Sequence, residues 1–219
     1  MSRAKDTGRA NISRLRGLHP RLAELPDVML RRLALYEDLL RKWQSSINLI
    51  ARSTLDDIWI RHFVDSLQVS SAAPQARRWV DLGSGGGFPG LVTAIRYADD
   101  PNAETHLIES DQRKCAFLRT VSRETGAGAI VHCGRIENIA PKLDAPFDAV
   151  SARALAPLPE LLRYAEKFLE KGAVGVFSKG EQIEAELTGI SAAANYQIAS
   201  VASETSDSAR LILVRRRVE

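Results

Sequence analysis

Along residues 26–44 the apolar positions recur with a helical period. Met29, Leu33, Tyr36, Leu40 and Trp43 follow one another at steps of three and four, with Arg31, Arg32, Glu37, Asp38, Arg41 and Lys42 between them. That spacing predicts an amphipathic helix with one buried stripe. A second helix is expected after Ser53-Thr54-Leu55-Asp56, where a hydroxyl caps free amides and the acid suits the positive helix end. Ile58, Trp59, Phe63 and Leu67 supply its apolar side. After Pro74 the rhythm changes. Short apolar runs at 79–82, 105–109, 130–133, 147–151, 173–178, 197–202 and 211–215 predict strands, and 90–97, 112–125, 158–169 and 182–194 predict helices between them. Such alternation implies a mostly parallel α/β sheet covered on both faces. The last two runs are joined by residues 203–209, too short for a crossover helix, so they are expected to form an antiparallel hairpin.

The loop after the first predicted strand concentrates the chemistry. It reads Asp81-Leu82-Gly83-Ser84-Gly85-Gly86-Gly87-Phe88-Pro89-Gly90. In an open parallel sheet this is where ligands sit. Gly83, Gly85 and Gly87 can take positive φ and admit a close ligand, and Pro89 suits the first turn of the following helix. No Lys-Ser or Lys-Thr follows at P-loop spacing. Gly85-Gly86-Gly87-Phe88-Pro89-Gly90 does match the dinucleotide pattern, which keeps a NAD-binding reading open. Three features favour S-adenosylmethionine instead. Asp81 lies within the strand, where a carboxylate attracts an ammonium and repels a pyrophosphate. Glu109 ends the second strand, placed to accept both ribose hydroxyls. A terminal antiparallel hairpin is familiar in methyltransferase sheets.

Composition narrows the setting. The 219 residues suit one large domain or a domain with an extension, and no run is long and apolar enough to span a membrane. No secretory signature opens the chain, and Cys115 and Cys133 lack metal-ligand spacing, so a reducing cytoplasmic location, no metal and two buried thiols are expected. Residues 1–78 carry fourteen Lys and Arg against eight Asp and Glu, whereas residues 79–219 carry sixteen against nineteen. A basic front half suits contact with nucleic-acid phosphates, although a solvated basic tail gives the same count. The expected organisation is a mobile basic tail over 1–20, a helical region over 21–73 and the sheet domain over 74–219.

Several stretches together carry a resemblance: Asn48-Leu49-Ile50, Arg61-His62-Phe63-Val64-Asp65-Ser66-Leu67, the loop from Asp81 to Gly90, Arg135-Ile136-Glu137, Ser151-Ala152-Arg153-Ala154 and Lys179-Gly180. In these the chain resembles the bacterial glucose-inhibited division protein B family, the guanine-N7 methyltransferases of 16S ribosomal RNA. The resemblance implies a Rossmann-like S-adenosylmethionine-dependent methyltransferase sheet with an N-terminal helical extension, and S-adenosylhomocysteine as product. It implies that Gly83 and Phe88 touch the cofactor, that Ile136 and Glu137 form the adenine-side pair, and that Arg153 is the cofactor-site arginine. Together with Asp81, Gly85 and Glu109 these form the expected cofactor set. The expected partner is 16S ribosomal RNA, free or within the small subunit or a precursor particle, met by a monomer.

Guanine N7 has a lone pair and no proton, so in-line methyl transfer needs alignment and a dry pocket rather than a general base. The fourth strand is followed by Ser-Ala-Arg-Ala, not by an Asn-Pro-Pro-Tyr type motif, and no catalytic acid or base is assigned. A small-molecule or protein methyltransferase remains the alternative. His62 and Asp65, three apart on one helix, are read either as a substrate-facing pair or, preferentially, as a pair docking the helical front to the sheet. Lys179 is placed to meet an RNA phosphate or simply solvent. Trp43, Trp59 and Trp79 are expected in the core rather than stacked on bases.

Overall fold

The computed structural model describes residues 12–190 and 195–217. Seven strands make one sheet: β1 (Arg78–Leu82), β2 (Glu104–Glu109), β3 (Ile130–Cys133), β4 (Ala149–Arg153), β5 (Val174–Lys179), β6 (Tyr196–Ala202) and β7 (Arg210–Arg216). Their order is β3-β2-β1-β4-β5-β7-β6. All neighbours are parallel except β7, which runs antiparallel to both β5 and β6. The winding reverses between β1 and β4, so the glycine loop after β1 opens at the switch point of the sheet.

Helices α1 (Asp27–Gln44), α2 (Asp65–Ala72), α3 (Gly90–Arg96) and α4 (Gln112–Thr125) cover one side of the sheet. Helix α5 (Leu158–Glu170) and helix α6 (Ile183–Ile190) cover the other. Strand alternation explains this directly. Val80, Leu82, Ile108, Val150 and Ala152 pack into the α5 side, while Leu107 joins the core beneath α1, α3 and α4. Helix α4 shows its sequence logic at both ends. The Asp111 carboxylate accepts the amides of Arg113 and Lys114, and Gly126 closes the helix at φ 67°.

The front of the chain is not a separate layer. Met29, Leu33, Tyr36 and Leu40 of α1, as the period predicts, share a single core with Leu91, Leu107, Phe117 and Leu118. Residues 12–16 are already helical and Leu15 is 6% exposed within this core, so the second half of the expected tail is folded, anchored by an apolar side chain that the surrounding basic residues obscure. Residues 1–11 lie outside the described residues, as do positions 191–194 of the expected last helix.

Two expectations need correcting. Ser53 and Thr54 do not cap the second helix. They lie in a short 3-10 turn, Arg52–Thr54, and the Thr54 hydroxyl donates to Ala51 O. The chain then makes a π-helical turn, Trp59–Val64, that runs into α2. Secondly, Cys115 is buried but Cys133 is exposed, because β3 is an edge strand. The three tryptophans do belong to the interior: Trp79 is fully enclosed, Trp59 donates to Glu37 Oε2 at 2.6 Å, and Trp43 packs its ring on Phe117. No helix among the described residues is long and apolar enough to cross a membrane.

The α3 start is tightly built onto β1. A Cβ placed on Gly90 would lie 2.6 Å from Asp81 Oδ2 and 2.7 Å from Asp81 Cβ. Gly90→Ala is therefore expected to cost about 1–3 kcal/mol, the usual range for overpacking. Urea unfolding should show a lower midpoint with an unchanged slope; an unchanged midpoint would contradict this packing.

Candidate active site

A cavity of about 530 Å³ opens at the carboxyl ends of β1 and β2. Its floor is the glycine loop. One wall is Glu109 with Gly134, Ile136 and Glu137, and the other is Leu49, Ile50, Thr54 and His62 from the helical front. Arg153 and Ala154, at the end of β4, close it toward the middle of the sheet.

The loop backbone explains the glycines. Gly83, Gly85 and Gly87 have φ of 65°, 53° and 92°, a region that penalises side chains. Gly86 has a further reason: an added Cβ would lie 2.8 Å from the Leu49 carbonyl oxygen. Its own carbonyl accepts a short hydrogen bond from the Tyr36 hydroxyl. Behind Gly85, by contrast, the nearest atom to an added Cβ is Gly83 O at 3.8 Å. Its face is the open one, turned to the cavity it lines.

Each expected cofactor residue can now be placed. Glu109 is 8% exposed and on the wall; Oε2 accepts the Gly85 amide and Oε1 the Asp111 amide, each at 2.8 Å. The carboxylate thus ties the loop to the end of β2. Gly83, Gly85, Phe88, Ile136, Glu137 and Arg153 also line the cavity. Asp81 does not. It is 1% exposed beneath the loop, where Oδ1 accepts the Ser151 hydroxyl at 2.7 Å and Oδ2 has no partner in the protein. Burial pushes its carboxyl up to about 6, against the opposing effect of hydrogen bonds from Ser151 and Ser84. An open glycine cradle with the Glu109 carboxylate on its wall and the Asp81 carboxylate buried directly beneath it suits a nucleoside with an ammonium-bearing tail, so the residues present fit S-adenosylmethionine.

The three expected substrate residues separate. The side chains of His62 and Asp65 do not bond each other, although the Asp65 amide donates to His62 O within the helical turn. His62 Nε2 meets the Thr54 hydroxyl at 2.8 Å, its ring lies 4.8 Å from that of Phe88, and Nδ1 is buried without a partner. Asp65 Oδ2 lies 3.3 Å from Arg153 Nη1, and Oδ1 accepts the Thr205 hydroxyl at 3.0 Å. Asp65 alone therefore docks the helical front on β4 and on the β6–β7 loop. Lys179 lines not this cavity but a neighbouring one, where its Nζ is already engaged, 2.7 Å from Glu186 Oε2 and donating to Ala156 O. Its charge is spent on holding α6 to the sheet.

Other residues at the site are assigned no role by the linear pattern. Tyr164 of α5 lines the cavity, as do Lys114 and Arg135. Ala154 has φ of 50°, a left-handed conformation unusual for a residue with a side chain, directly after Arg153. Among the described residues no group of three or more His, Cys, Asp or Glu is arranged to hold a metal ion.

A family profile described as "GidB: rRNA small subunit methyltransferase G" matches residues 29–211. A Parvibaculum lavamentivorans protein named ribosomal RNA small subunit methyltransferase G is 53% identical over 160 residues, covering 73% of this chain and 70% of its own. One of the same name from Rhodospirillum centenum is 57% identical over 161 residues, covering 73% and 71%. Among solved structures, the O-methyltransferase TomG from Streptomyces achromogenes, in complex with SAM, matches with a TM-score of 0.59 over 85% of this chain and 90% of its own, at 18% identity. A Bacillus cereus O-methyltransferase in complex with SAH gives 0.57 over 88% and 92%, at 13% identity. These two likenesses concern the fold alone.

The His62 environment yields a test. Burial chiefly, then the positive charges of Arg153 and Arg61, lower its imidazole to about 3 from the usual 6.5. Between those values the unfolded chain binds the extra proton, so this contribution to stability is lost as pH falls from 6.5 toward 3. Ring nitrogen shifts should stay those of neutral imidazole at pH 5, and His62→Gln should flatten the acid limb of a stability–pH profile. A ring that titrates near 6.5 would refute the buried geometry.

Proposed function

The chain belongs to the GidB family of small-subunit ribosomal RNA methyltransferases, and from that premise we propose that it methylates N7 of a guanosine in 16S ribosomal RNA. The dinucleotide reading of the glycine loop gives way with that assignment. S-adenosylmethionine, when bound, supplies an electrophilic methyl group on a sulfonium. The chain's own task is to hold that group, admit one base and exclude water.

In this reading Glu109 takes the ribose hydroxyls, Ile136 and Glu137 flank the adenine, and Gly83, Gly85 and Phe88 form the contact surface of the loop. Asp81, buried beneath the loop and off the cavity lining, favours the ammonium through its charge and through the loop it supports rather than by contact. Arg153, largely buried and facing the same cavity, is positioned for the carboxylate or the incoming base. Phe88 is itself fixed, stacked on Tyr36 with centroids 5.3 Å apart and with the Arg153 guanidinium 6.0 Å over its ring.

The observation that carries the N7 assignment is the state of His62. It is the imidazole on the cavity wall, yet its lowered pKa makes it a poor base at neutral pH, and Nε2 is engaged by Thr54. An acceptor that must lose a proton would find little help there. A purine N7 has none to lose, and alignment with desolvation is enough. Basic residues at and beside the cavity, Lys114 and Arg135 on its lining and Arg61 on that of its neighbour, favour an RNA acceptor over a small molecule.

Two measurements test this. Incubation with S-adenosylmethionine and 16S ribosomal RNA, naked or in small-subunit particles, should create one guanosine at which borohydride and aniline cleave the strand, the behaviour of an N7-methylated purine. Methylation without a cleavable site would move the reaction to another atom. Gly85→Ala should keep the fold at a cost of about 1–2 kcal/mol, the usual penalty for a left-handed residue. It should weaken S-adenosylhomocysteine at least tenfold by calorimetry, because its methyl enters the open cradle; unchanged affinity would remove Gly85 from the site.

A further inference from the structure

A second, smaller cavity of about 190 Å³ lies beside the first, beyond Arg153 and Ala154, which line both. Its other walls come from far apart in the sequence: Arg61 on the π-helical turn, Ser178 at the end of β5, Thr205 and Ser206 in the β6–β7 loop, and Arg210 at the start of β7. The register explains the convergence. Arg153 pairs with Ser178 across β4 and β5, and Ser178 pairs with Leu211 across β5 and β7. The loop wall is not a loose one. Gln68 Oε1 accepts the Glu204 amide at 2.8 Å, Thr205 donates to Asp65, and Arg21 ion-pairs with Glu204.

The charge around this cavity does not balance. Arg61, Arg153 and Arg210 line it with one carboxylate, Asp65, which already lies 3.3 Å from Arg153 Nη1 and accepts from the Thr205 hydroxyl. Lys179 is neutralised by Glu186. Among the described residues neither Arg61 nor Arg210 has a carboxylate partner, and Arg210 Nη1 merely donates to the carbonyls of Asp207 and Ala209. Arg153 Nη1 and Ser178 Oγ are buried with no hydrogen-bond partner. Guanidinium groups gathered around one carboxylate repel each other, as the effect of Arg61 on Arg153 shows. A protein that keeps them together gains from that arrangement only when an anion enters. Arginine forks and hydroxyls are the donor set that suits the tetrahedral oxygens of a phosphate.

We propose that this cavity is a phosphate subsite, holding a backbone phosphodiester of the RNA next to the nucleotide being methylated. The proposal rests on the RNA methyltransferase reading above and adds how the strand is held in register with the reacting base. Arg61 and Arg210 bind the phosphate oxygens, and the Asp65 carboxylate holds Arg153 between the two cavities. Phosphate contacts position a nucleic acid and carry no sequence information, so the subsite sets where the strand lies, while the first cavity selects the base.

The test uses the full chain and 16S ribosomal RNA. Arg61→Gln and Arg210→Gln, singly and together, are measured for RNA affinity across a series of potassium chloride concentrations, for S-adenosylhomocysteine affinity and for thermal midpoint. The double variant should bind RNA about tenfold more weakly at low salt, with its log–log salt slope reduced by about one. Its KM for RNA should rise with little change in kcat, S-adenosylhomocysteine affinity should not move, and Arg61→Lys should keep the salt slope of the parent. If RNA affinity and slope stay the same while the parent still methylates RNA, the subsite is wrong and the reading stands. A fall in S-adenosylhomocysteine affinity instead would mean that the cavity serves the cofactor's carboxylate, and the subsite is again wrong. A parent that transfers no methyl group to RNA would take both down.

Discussion

The contact between Gly86 and the Leu49 carbonyl is the constraint from which the site follows. The two backbones lie so close that no side chain fits between them, and the Tyr36 hydroxyl fastens the Gly86 carbonyl from the same direction. Leu49 is itself held, since Gln44 Oε1 accepts the amides of Leu49 and Ile50 at 2.9 and 3.1 Å. On the other side the loop is tied to β2 through Gly85 and Glu109. The glycine-rich segment is thus clamped between helical front and sheet. Its open face is the one with nothing behind Gly85, and pre-organisation of that face lowers what ligand binding must spend on ordering.

Much of the fold was readable because it rests on periodicity. The strand alternation, the stripe of α1 and the short last connection each follow from local spacing, and each element appears within a few residues of its predicted place. The β4 boundary moved, from 147–151 to Ala149–Arg153, because Phe147 packs in the α5-side core before the ladder begins. The π-helical turn at Trp59–Val64 was not readable, since its apolar spacing passes for an ordinary helix. Cys133 looked like a core residue only because a strand's rank in the sheet, edge or centre, is a tertiary fact.

The site was legible where residues adjacent in sequence form it and obscure where the fold assembles it. Gly83, Gly85, Glu109 and Ile136 announce themselves through loop composition and strand ends. Asp81 was placed on the right strand, but that its carboxylate lies beneath the loop depends on the pleat, which turns it toward α3. Lys179 shows the same limit from the other side. A lysine after a strand suggests phosphate, yet Glu186 seven residues later claims it. Arg61 and Arg210, given no role by the sequence pattern, line the second cavity without a carboxylate partner among the described residues. Charge counts alone cannot separate these cases, because the decisive quantity is which carboxylate lies within reach.

The undivided core shared by Leu15, Leu33, Tyr36, Leu107 and Phe117 has a consequence for how such a chain can change over time. A catalytic sheet with a detachable recognition arm can exchange that arm and acquire new targets by swapping parts. Here the segment that would meet the acceptor is also the buttress of the cofactor loop, so trading one away would dismantle the other. Innovation is confined to point changes at the rim, and a new target must be reached one side chain at a time.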